Sequence, residues 1–238
     1  IASVLGAFAG AAISNSLSIR MYEHRRLPDI GLHWSSASVR HLLLGCAGGI
    51  GAAVLALGTP LLVGAAEWQR EPGASGGLGG FLFLTLVLLF GAVGEEMLFR
   101  GYGFQVLVPA FGAVATVLPM SVLFAAAHLD NRNVSHLALF NTFAWGVVLG
   151  FALLRSGDLW LPIGLHFGWN WALPLFGVNV SGFTMRMTGV ALHWKAGDLW
   201  SGGDYGPEGG ICCTIVLALL AVFLWKAPVR QQDLPLTR

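Results

Sequence analysis

Two adjacent glutamates and an arginine follow a long apolar run in this sequence. The stretch GEEMLFRGY, residues 94–102, comes directly after GGFLFLTLVLLFGAV. On a helix, Glu96 and Arg100 are four residues apart and can form an ion pair, whereas Glu95 is offset by about 100°. We therefore expect Glu96 and Arg100 to neutralise each other and Glu95 to face another group. The alternative is a structural ion pair with one protonated, unused glutamate, which leaves a second acid buried at a cost.

Two further apolar stretches carry histidine. FAAAH, Phe124 to His128, places three alanines before the histidine, which leaves room for a neighbouring helix. HFGWN places His166 and Asn170 four residues apart, so that both side chains share one helix face and can donate toward one point. Taken alone, His128 is more typical of a packing or interface residue. His166 and Asn170 are equally typical of hydrogen bonding between membrane helices.

Together, these residue types form a set that can hydrolyse a peptide bond. A glutamate beside a histidine can activate water as a general base. A second histidine with an asparagine can donate hydrogen bonds to the oxyanion formed when water attacks a carbonyl. Two histidines and a glutamate are also a known catalytic zinc set, here Glu95, His128 and His166. The residue types leave water activation by glutamate and water activation by a metal both open. The sequence contains no H-E-x-x-H pattern.

The composition predicts an integral membrane protein that holds these residues on helices. Of 238 residues, 55% are hydrophobic and 11% are charged, whereas soluble domains carry about 25% charged residues. The net charge of +1 gives no indication of nucleic-acid binding, and three cysteines form neither a disulfide framework nor a metal-type spacing. Because the chain starts at Ile1, we expect that a preceding N-terminal piece is missing.

A spanning helix needs about 20 mainly apolar residues, and we identify seven candidate segments. We therefore predict an all-α, polytopic membrane helix bundle. The segments are 1–18, 41–66, 80–106, 110–128, 134–154, 159–177 and 211–226.

The basic residues predict the orientation. With seven spans, the side that holds 19–40, 107–109, 155–158 and the C-terminal tail carries eight Lys and Arg residues, against four on the other side. This excess favours the first side as cytoplasmic. The eight are Arg20, Arg25, Arg26, Arg40, Arg155, Lys226, Arg230 and Arg238, and the four are Arg70, Arg132, Arg186 and Lys195. Segment 178–210 is then exoplasmic, either as a solvated loop or as a cap over a site.

Helix geometry alone does not bring the three motifs together. Measured from 107–109 and 155–158 at 1.5 Å per residue, Glu95 is at about 18 Å, His128 at about 27 Å and His166 at about 11 Å. Straight upright helices would hold these side chains at different depths. Their convergence would need tilts or kinks, for which Pro119 and Pro162 are available.

The three motifs in order resemble the type II CAAX prenyl endopeptidase family, also called CPBP or ABI. Its pattern is EExxxR, then FxxxH, then HxxxN, and all three occur here without departure. GGDYGPEGG before the last helix resembles the bacterial branch of this family. The resemblance covers 80–226, which we expect to form the protease-like membrane domain. Segment 1–79 matches only as N-terminal membrane helices and loops, and 227–238 is expected to be a cytoplasmic tail.

The resemblance implies an intramembrane peptidase of glutamate or metal type. Carried over by motif position, Glu95 would be the general base with His128 as its partner, and His166 and Asn170 would form the oxyanion hole. The residues expected to support the site are Glu96, Arg100 and Phe124. The substrate would be a peptide or a lipidated protein in the membrane, with lipids as neighbours. We expect no nucleic-acid partner and no certain cofactor, with a divalent metal such as zinc as the alternative. The resemblance also implies the bacterial inner membrane.

Two other classes of function fit parts of the sequence. One is a non-catalytic membrane scaffold or accessory subunit of a larger membrane complex, in which His41, His136 and His193 would ligate a pigment or haem. The intact motifs argue against lost catalysis. The other is a transporter or channel, which lacks support because we see no internal repeat and no row of charges.

Overall fold

The computed structural model describes residues 2–71 and 77–237, and this part of the chain is mainly helical. The predicted all-α membrane bundle is confirmed. The helices are α1 Ala2–Glu23, α2 Ser36–Leu62, α3 Gly77–Arg100, α4 Tyr102–Phe111, α5 Ala113–Ala126, α6 His136–Ser156, α7 Trp160–Leu175, α8 Asp198–Ser201 and α9 Ile211–Lys226. Short 3₁₀ helices occur at Leu27–Ile30, Gly203–Tyr205, Pro207–Gly209 and Pro235–Thr237. Two strands, β1 Ala66–Arg70 and β2 Val190–Trp194, pair antiparallel.

Six of the seven predicted segments correspond to one helix each, and the third corresponds to two, α3 and α4. Four helical stretches are long and apolar enough to cross a membrane among the residues that the structure describes: Ala2–Glu23, Ser36–Leu62, Gly77–Phe111 and His136–Ser156. The other three, α5, α7 and α9, have 14, 16 and 16 residues. At 1.5 Å per residue these helices are about 21–24 Å long, which is shorter than the hydrocarbon core of about 30 Å.

The third predicted segment is broken where the sequence suggested a continuous helix. α3 ends at Arg100, and α4 begins at Tyr102 and runs through 107–109, which we had predicted to be a loop. Asn15 of α1 holds the break, because its Nδ2 donates to the Met97 carbonyl at 3.0 Å and its Oδ1 accepts from the Tyr102 N–H at 2.6 Å. A side chain at Gly101 would clash with the Met97 carbonyl and with Asn15 Oδ1.

Glycines allow α2 and α7 to pack backbone against backbone. Gly45 and Gly49 on α2 face Gly164 and Gly168 on α7, four residues apart on each helix. A Cβ at Gly164 would lie 2.9 Å from the Cys46 N, and one at Gly168 would lie 3.0 Å from the Cys46 Cα. This is the small-xxx-small arrangement by which membrane helices approach closely. It fixes α7, the helix that carries the third motif.

Loops and termini gather at two ends of the bundle. At one end, the Leu159 N–H donates to the Gly31 carbonyl at 2.9 Å and the Gln232 N–H donates to the Ser156 carbonyl at 2.7 Å. Segments 19–40 and 155–158 therefore meet the C-terminal tail, as the orientation argument assumed. Arg238, which that argument counted, lies outside the described residues. The β1–β2 pair lies at the other end, following α2.

The three extra histidines occupy separate places and form no shared ligand site. His41 is fully buried, and its Nδ1 lies 2.6 Å from Asp158 Oδ2. Asp158 Oδ1 in turn accepts from the Trp160 N–H at 3.2 Å, at the start of α7. His136 is exposed at the start of α6, and His193 is exposed on β2.

Candidate active site

The three motifs converge on one cavity of about 470 Å³. Its wall includes Glu95 from α3, His128 from the turn after α5, and both His166 and Asn170 from α7. The depth difference expected from straight helices does not arise, because α4 is a separate helix and 107–109 is not the point from which α3 descends. Pro162 lies in the first turn of α7, where proline is tolerated, and is not needed as a kink.

Glu96 and Arg100 form a buried ion pair next to the residues that line the cavity. Both side chains are almost completely buried, and Arg100 Nη1 donates to Glu96 Oε1 at 3.3 Å. Arg100 Nη2 also donates to the Gly146 carbonyl of α6 at 3.2 Å. Gly146 is also where α5 packs closely on α6, since a Cβ there would lie 2.8 Å from the Ser121 Cβ. The i, i+4 pair inferred from the sequence is therefore present on α3, and it is bonded to a second helix, α6.

Glu96 has a second partner that the sequence did not indicate. His166 Nδ1 lies 2.8 Å from Glu96 Oε1, the same oxygen that accepts from Arg100. An oxygen that accepts from a guanidinium acts as a carboxylate acceptor, so His166 Nδ1 carries a proton and donates it. This hydrogen bond fixes the imidazole ring through Nδ1. The other ring nitrogen, Nε2, remains available to the cavity.

Glu95 lies on a different face of α3 from the Glu96–Arg100 pair, and its side chain is 35% exposed. Its Oε2 is 3.8 Å from His166 Nε2, too long for a hydrogen bond. In the described part of the chain, no hydrogen bond or ion pair joins Glu95 to His128, the partner that the family resemblance implied. Both residues line the cavity, and the ion-pair contact that Glu95 makes is with His166 of α7.

The orientation of His128 follows from one backbone contact. His128 Nδ1 lies 2.8 Å from the Phe124 carbonyl oxygen. Because a carbonyl can only accept, Nδ1 carries the proton, and the neutral ring keeps its lone pair on Nε2. The FxxxH spacing has a direct use here, since a carbonyl four residues back orients the imidazole.

Phe124 contacts all three parts of the constellation. The Arg100 guanidinium lies 4.4 Å from the centroid of the Phe124 ring, in cation–π geometry. The His128 ring centroid is 4.9 Å away, and that of His166 is 6.2 Å away and edge-on. Phe124, only 3% exposed, therefore packs against the Arg100 guanidinium and both imidazoles.

Packing on α2 directs the third motif toward the cavity. His166 lies two residues after Gly164, which on a helix is about 200° from the face that contacts α2. Its side chain therefore points toward α3, where it meets both glutamates. Asn170, half-buried, follows one turn later and also lines the cavity.

Sequence reasoning missed Glu208 as a cavity residue. It lies in the GPEGG stretch of segment 178–210, is 7% exposed, and lines the same cavity as Glu95 and His128. Ser181 and Phe183 of the same segment also line it. Segment 178–210 thus contributes to the wall of the site instead of being only a solvated loop. The available signal was an acid flanked by turn-forming residues directly before an apolar helix.

Burial raises the pKa values of two ionisable groups in this segment, Glu208 and Tyr205. It raises the pKa of the Glu208 carboxyl, and hydrogen bonds from Ser181 partly offset the rise. It raises the pKa of Tyr205 to about 12, with the nearby Glu208 charge as a second cause. Both shifts reflect how far this loop is withdrawn from water.

The cavity does not provide an arranged metal site. Within residues 2–71 and 77–237, no group of three or more His, Cys, Asp or Glu side chains is placed to hold a metal ion. Glu95, His128 and His166, the set expected for zinc, share the cavity without meeting that arrangement. We therefore derive no step through a metal.

Comparison with known proteins gives matches to part of the chain. The family model described as type II CAAX prenyl endopeptidase Rce1-like matches residues 77–172, which contain all three motifs. An uncharacterized 24.3 kDa protein of Escherichia coli is 37% identical over 93 residues. That similarity covers 36% of this chain and 40% of the relative, so the chain matches less than half of the relative's length. No solved structure matches the chain.

Proposed function

We propose, from the match of residues 77–172 to the Rce1-like type II CAAX prenyl endopeptidase family model, that the protein is an intramembrane endopeptidase. It hydrolyses a peptide bond of a membrane-associated substrate. The observation that carries this proposal is the single cavity that receives Glu95, His128, His166 and Asn170 from three chain segments distant in sequence. Its volume of about 470 Å³ is in the range of small-molecule and peptide side-chain sites.

In the proposed reaction, Glu95 and His128 activate water. Glu95 takes a proton from a water molecule as that water attacks the scissile carbonyl carbon. Neutral His128 accepts a hydrogen bond from the same water at Nε2, because its Nδ1 is committed to the Phe124 carbonyl. When the C–N bond breaks, the proton moves from Glu95 to the departing amine. The partial exposure of Glu95, in contrast to buried Glu96, supports this assignment.

His166 and Asn170 stabilise the tetrahedral oxyanion in this proposal. With Nδ1 donating to Glu96, a protonated His166 offers its Nε2–H to the cavity, and the Asn170 amide offers a second donor. Glu96 and Arg100 keep the His166 imidazole in place, and Phe124 packs against Arg100 and His166. Removal of a single oxyanion donor typically costs about 10²–10³ in rate.

The substrate we propose is a peptide or lipidated protein segment that reaches the cavity within the membrane. Apolar residues from α1 and α3, such as Val4 and Val87, line part of the cavity and suit an apolar chain. The location we propose is the bacterial cytoplasmic membrane, with the C-terminus in the cytoplasm.

The test is cleavage by the purified protein reconstituted in liposomes. Quenched fluorescent peptides with a prenylated or an unmodified C-terminal cysteine are the probes, and bound metal is quantified in the same sample. We expect cleavage that persists in EDTA without stoichiometric metal. Cleavage lost with EDTA and restored by zinc would contradict activation of water by Glu95 and His128 alone. A protein that cleaves neither peptide and copurifies with a stoichiometric partner would contradict the peptidase and support the scaffold alternative.

A further inference from the structure

Glu208 is a buried acid in the cavity that belongs to none of the three motifs. It lies on the 3₁₀ turn Pro207–Gly209, and its backbone is anchored to two helices. Asn141 Nδ2 of α6 donates to the Glu208 carbonyl at 2.8 Å and to the Gly210 carbonyl at 3.0 Å. Asn141 Oδ1 accepts from Thr214 Oγ1 of α9 at 2.7 Å. The carboxylate therefore projects from a fixed point.

The Glu208 carboxylate links α7 to the segment 180–185. Its Oε1 accepts from Trp169 Nε1 at 3.2 Å, directly beside Asn170. Its Oε2 accepts from the Ser181 N–H and from Ser181 Oγ, the latter at 2.9 Å. Three donors on one carboxylate are what a buried ionised acid requires.

Segment 180–185 is a tight reversal held at its tip. Val180 and Phe183 pair as an antiparallel bridge, and Ser181 has φ +48°, an uncommon conformation for a residue with a Cβ. The Gly182 N–H donates to the Tyr205 carbonyl at 2.8 Å. Both Ser181 contacts to Glu208 lie at the turn itself, so they maintain the strained residue in place.

The reversal forms one wall of the active cavity. Val180, Ser181, Phe183 and Met185 line the same space as Glu95. Phe183 remains 46% exposed, so packing of its own side chain does not hold this wall. Val180 is buried in the hydrophobic core, and the turn that follows it is held by hydrogen bonds, two of which end on Glu208.

We propose that Glu208 is a positioning residue that holds segment 180–185 as the cavity wall and so determines how well substrates bind near Glu95. This role rests on the proposed peptidase function. The wall is largely apolar, with Val180, Phe183 and Met185, so it favours substrates that place apolar side chains against it.

The test is Glu208→Gln, with Asp204→Asn as the matched control. Glutamine keeps the size but turns one acceptor into an NH₂ donor, which faces either the Trp169 N–H or the Ser181 N–H. Asp204 lies in the same loop, is exposed, and loses its charge in the same way. We expect Glu208→Gln to raise KM about tenfold or more with kcat changed less than about threefold, as expected for the loss of a charged hydrogen bond.

Limited trypsin digestion tests whether segment 180–185 is held in place, and it does not require peptidase activity. Cleavage after Arg186 and Lys195 should be about tenfold faster in Glu208→Gln than in the wild type and in Asp204→Asn. Ser181→Ala, which keeps the backbone donor, should give a smaller change in the same direction and serves if Glu208→Gln does not fold. Unchanged digestion, or a fall in kcat with KM unchanged, would overturn the proposal. If the wild type cleaves no peptide, the peptidase function fails, while digestion still decides whether Glu208 holds the wall.

Discussion

At the residue scale, two neighbouring glutamates occupy different environments. Glu96 is fully buried and accepts from both Arg100 and His166, whereas Glu95 is about one-third exposed on the cavity wall. Their one-residue offset on a helix produces this difference. The same offset leads to a prediction about protein stability that can be tested without a substrate.

Glu96→Gln should lower the free energy of unfolding in detergent by about 3 kcal/mol or more, because it leaves the buried Arg100 without its anionic partner. Glu95→Gln, the matched control one residue away, should change it by less than about 1 kcal/mol. Thermal unfolding followed by circular dichroism measures both variants. Equal destabilisation by the two substitutions would contradict the division between a structural and a free glutamate.

Tyr205 gives a pH prediction. Burial raises its pKa to about 12, above the unfolded value of about 10. The folded state therefore binds more protons than the unfolded state between these values, so stability falls as pH rises from about 10 to about 12 and is unaffected below that range. The wild-type minus Tyr205→Phe difference in absorbance at 295 nm should show phenolate forming near pH 12. Formation near pH 10 would contradict the burial of this side chain.

At the element scale, close contact between α2 and α7 positions the third motif. A Cβ at Gly49 would lie 2.6 Å from the Trp169 N, whereas one at Gly51 would meet nothing within 4 Å. Gly49→Ala should therefore cost about 1–3 kcal/mol through overpacking, and Gly51→Ala should be neutral or slightly stabilising. Melting temperatures in the same detergent compare the two. A neutral Gly49→Ala would show that α2 and α7 are not packed through their glycines.

A comparison of the helices and their contacts with the sequence shows which features local patterns predict and which they do not. Hydropathy located the seven apolar segments but not α4 as a separate helix, and i, i+4 spacing predicted the Glu96–Arg100 pair. The break at Gly101 was missed because membrane helices tolerate glycine, and Asn15, which holds the break, lies in another helix. The contact between His166 and Glu96 joins residues 70 positions apart, and that between Trp169 and Glu208 joins residues 39 apart. Local periodicity carries no information about either contact.

At the scale of the whole molecule, the distribution of basic residues predicts the orientation. Segments 19–40 and 155–158 and the C-terminal tail meet at one end of the bundle, and they carry most of the Lys and Arg. Green fluorescent protein fused to the C-terminus should therefore fluoresce, and alkaline phosphatase fused there should be inactive. Active phosphatase would place this end outside the cytoplasm.

The central claim is that one cavity holds a glutamate that activates water, and Glu95→Gln tests it most directly. The variant should fold with near wild-type stability and cleave a peptide that the wild type cleaves at least about 10²–10⁴-fold more slowly, the usual contribution of a general base. Glu67→Gln, on the exposed strand β1, is the matched control and should cleave at the wild-type rate. Cleavage by folded Glu95→Gln at the wild-type rate would contradict the account.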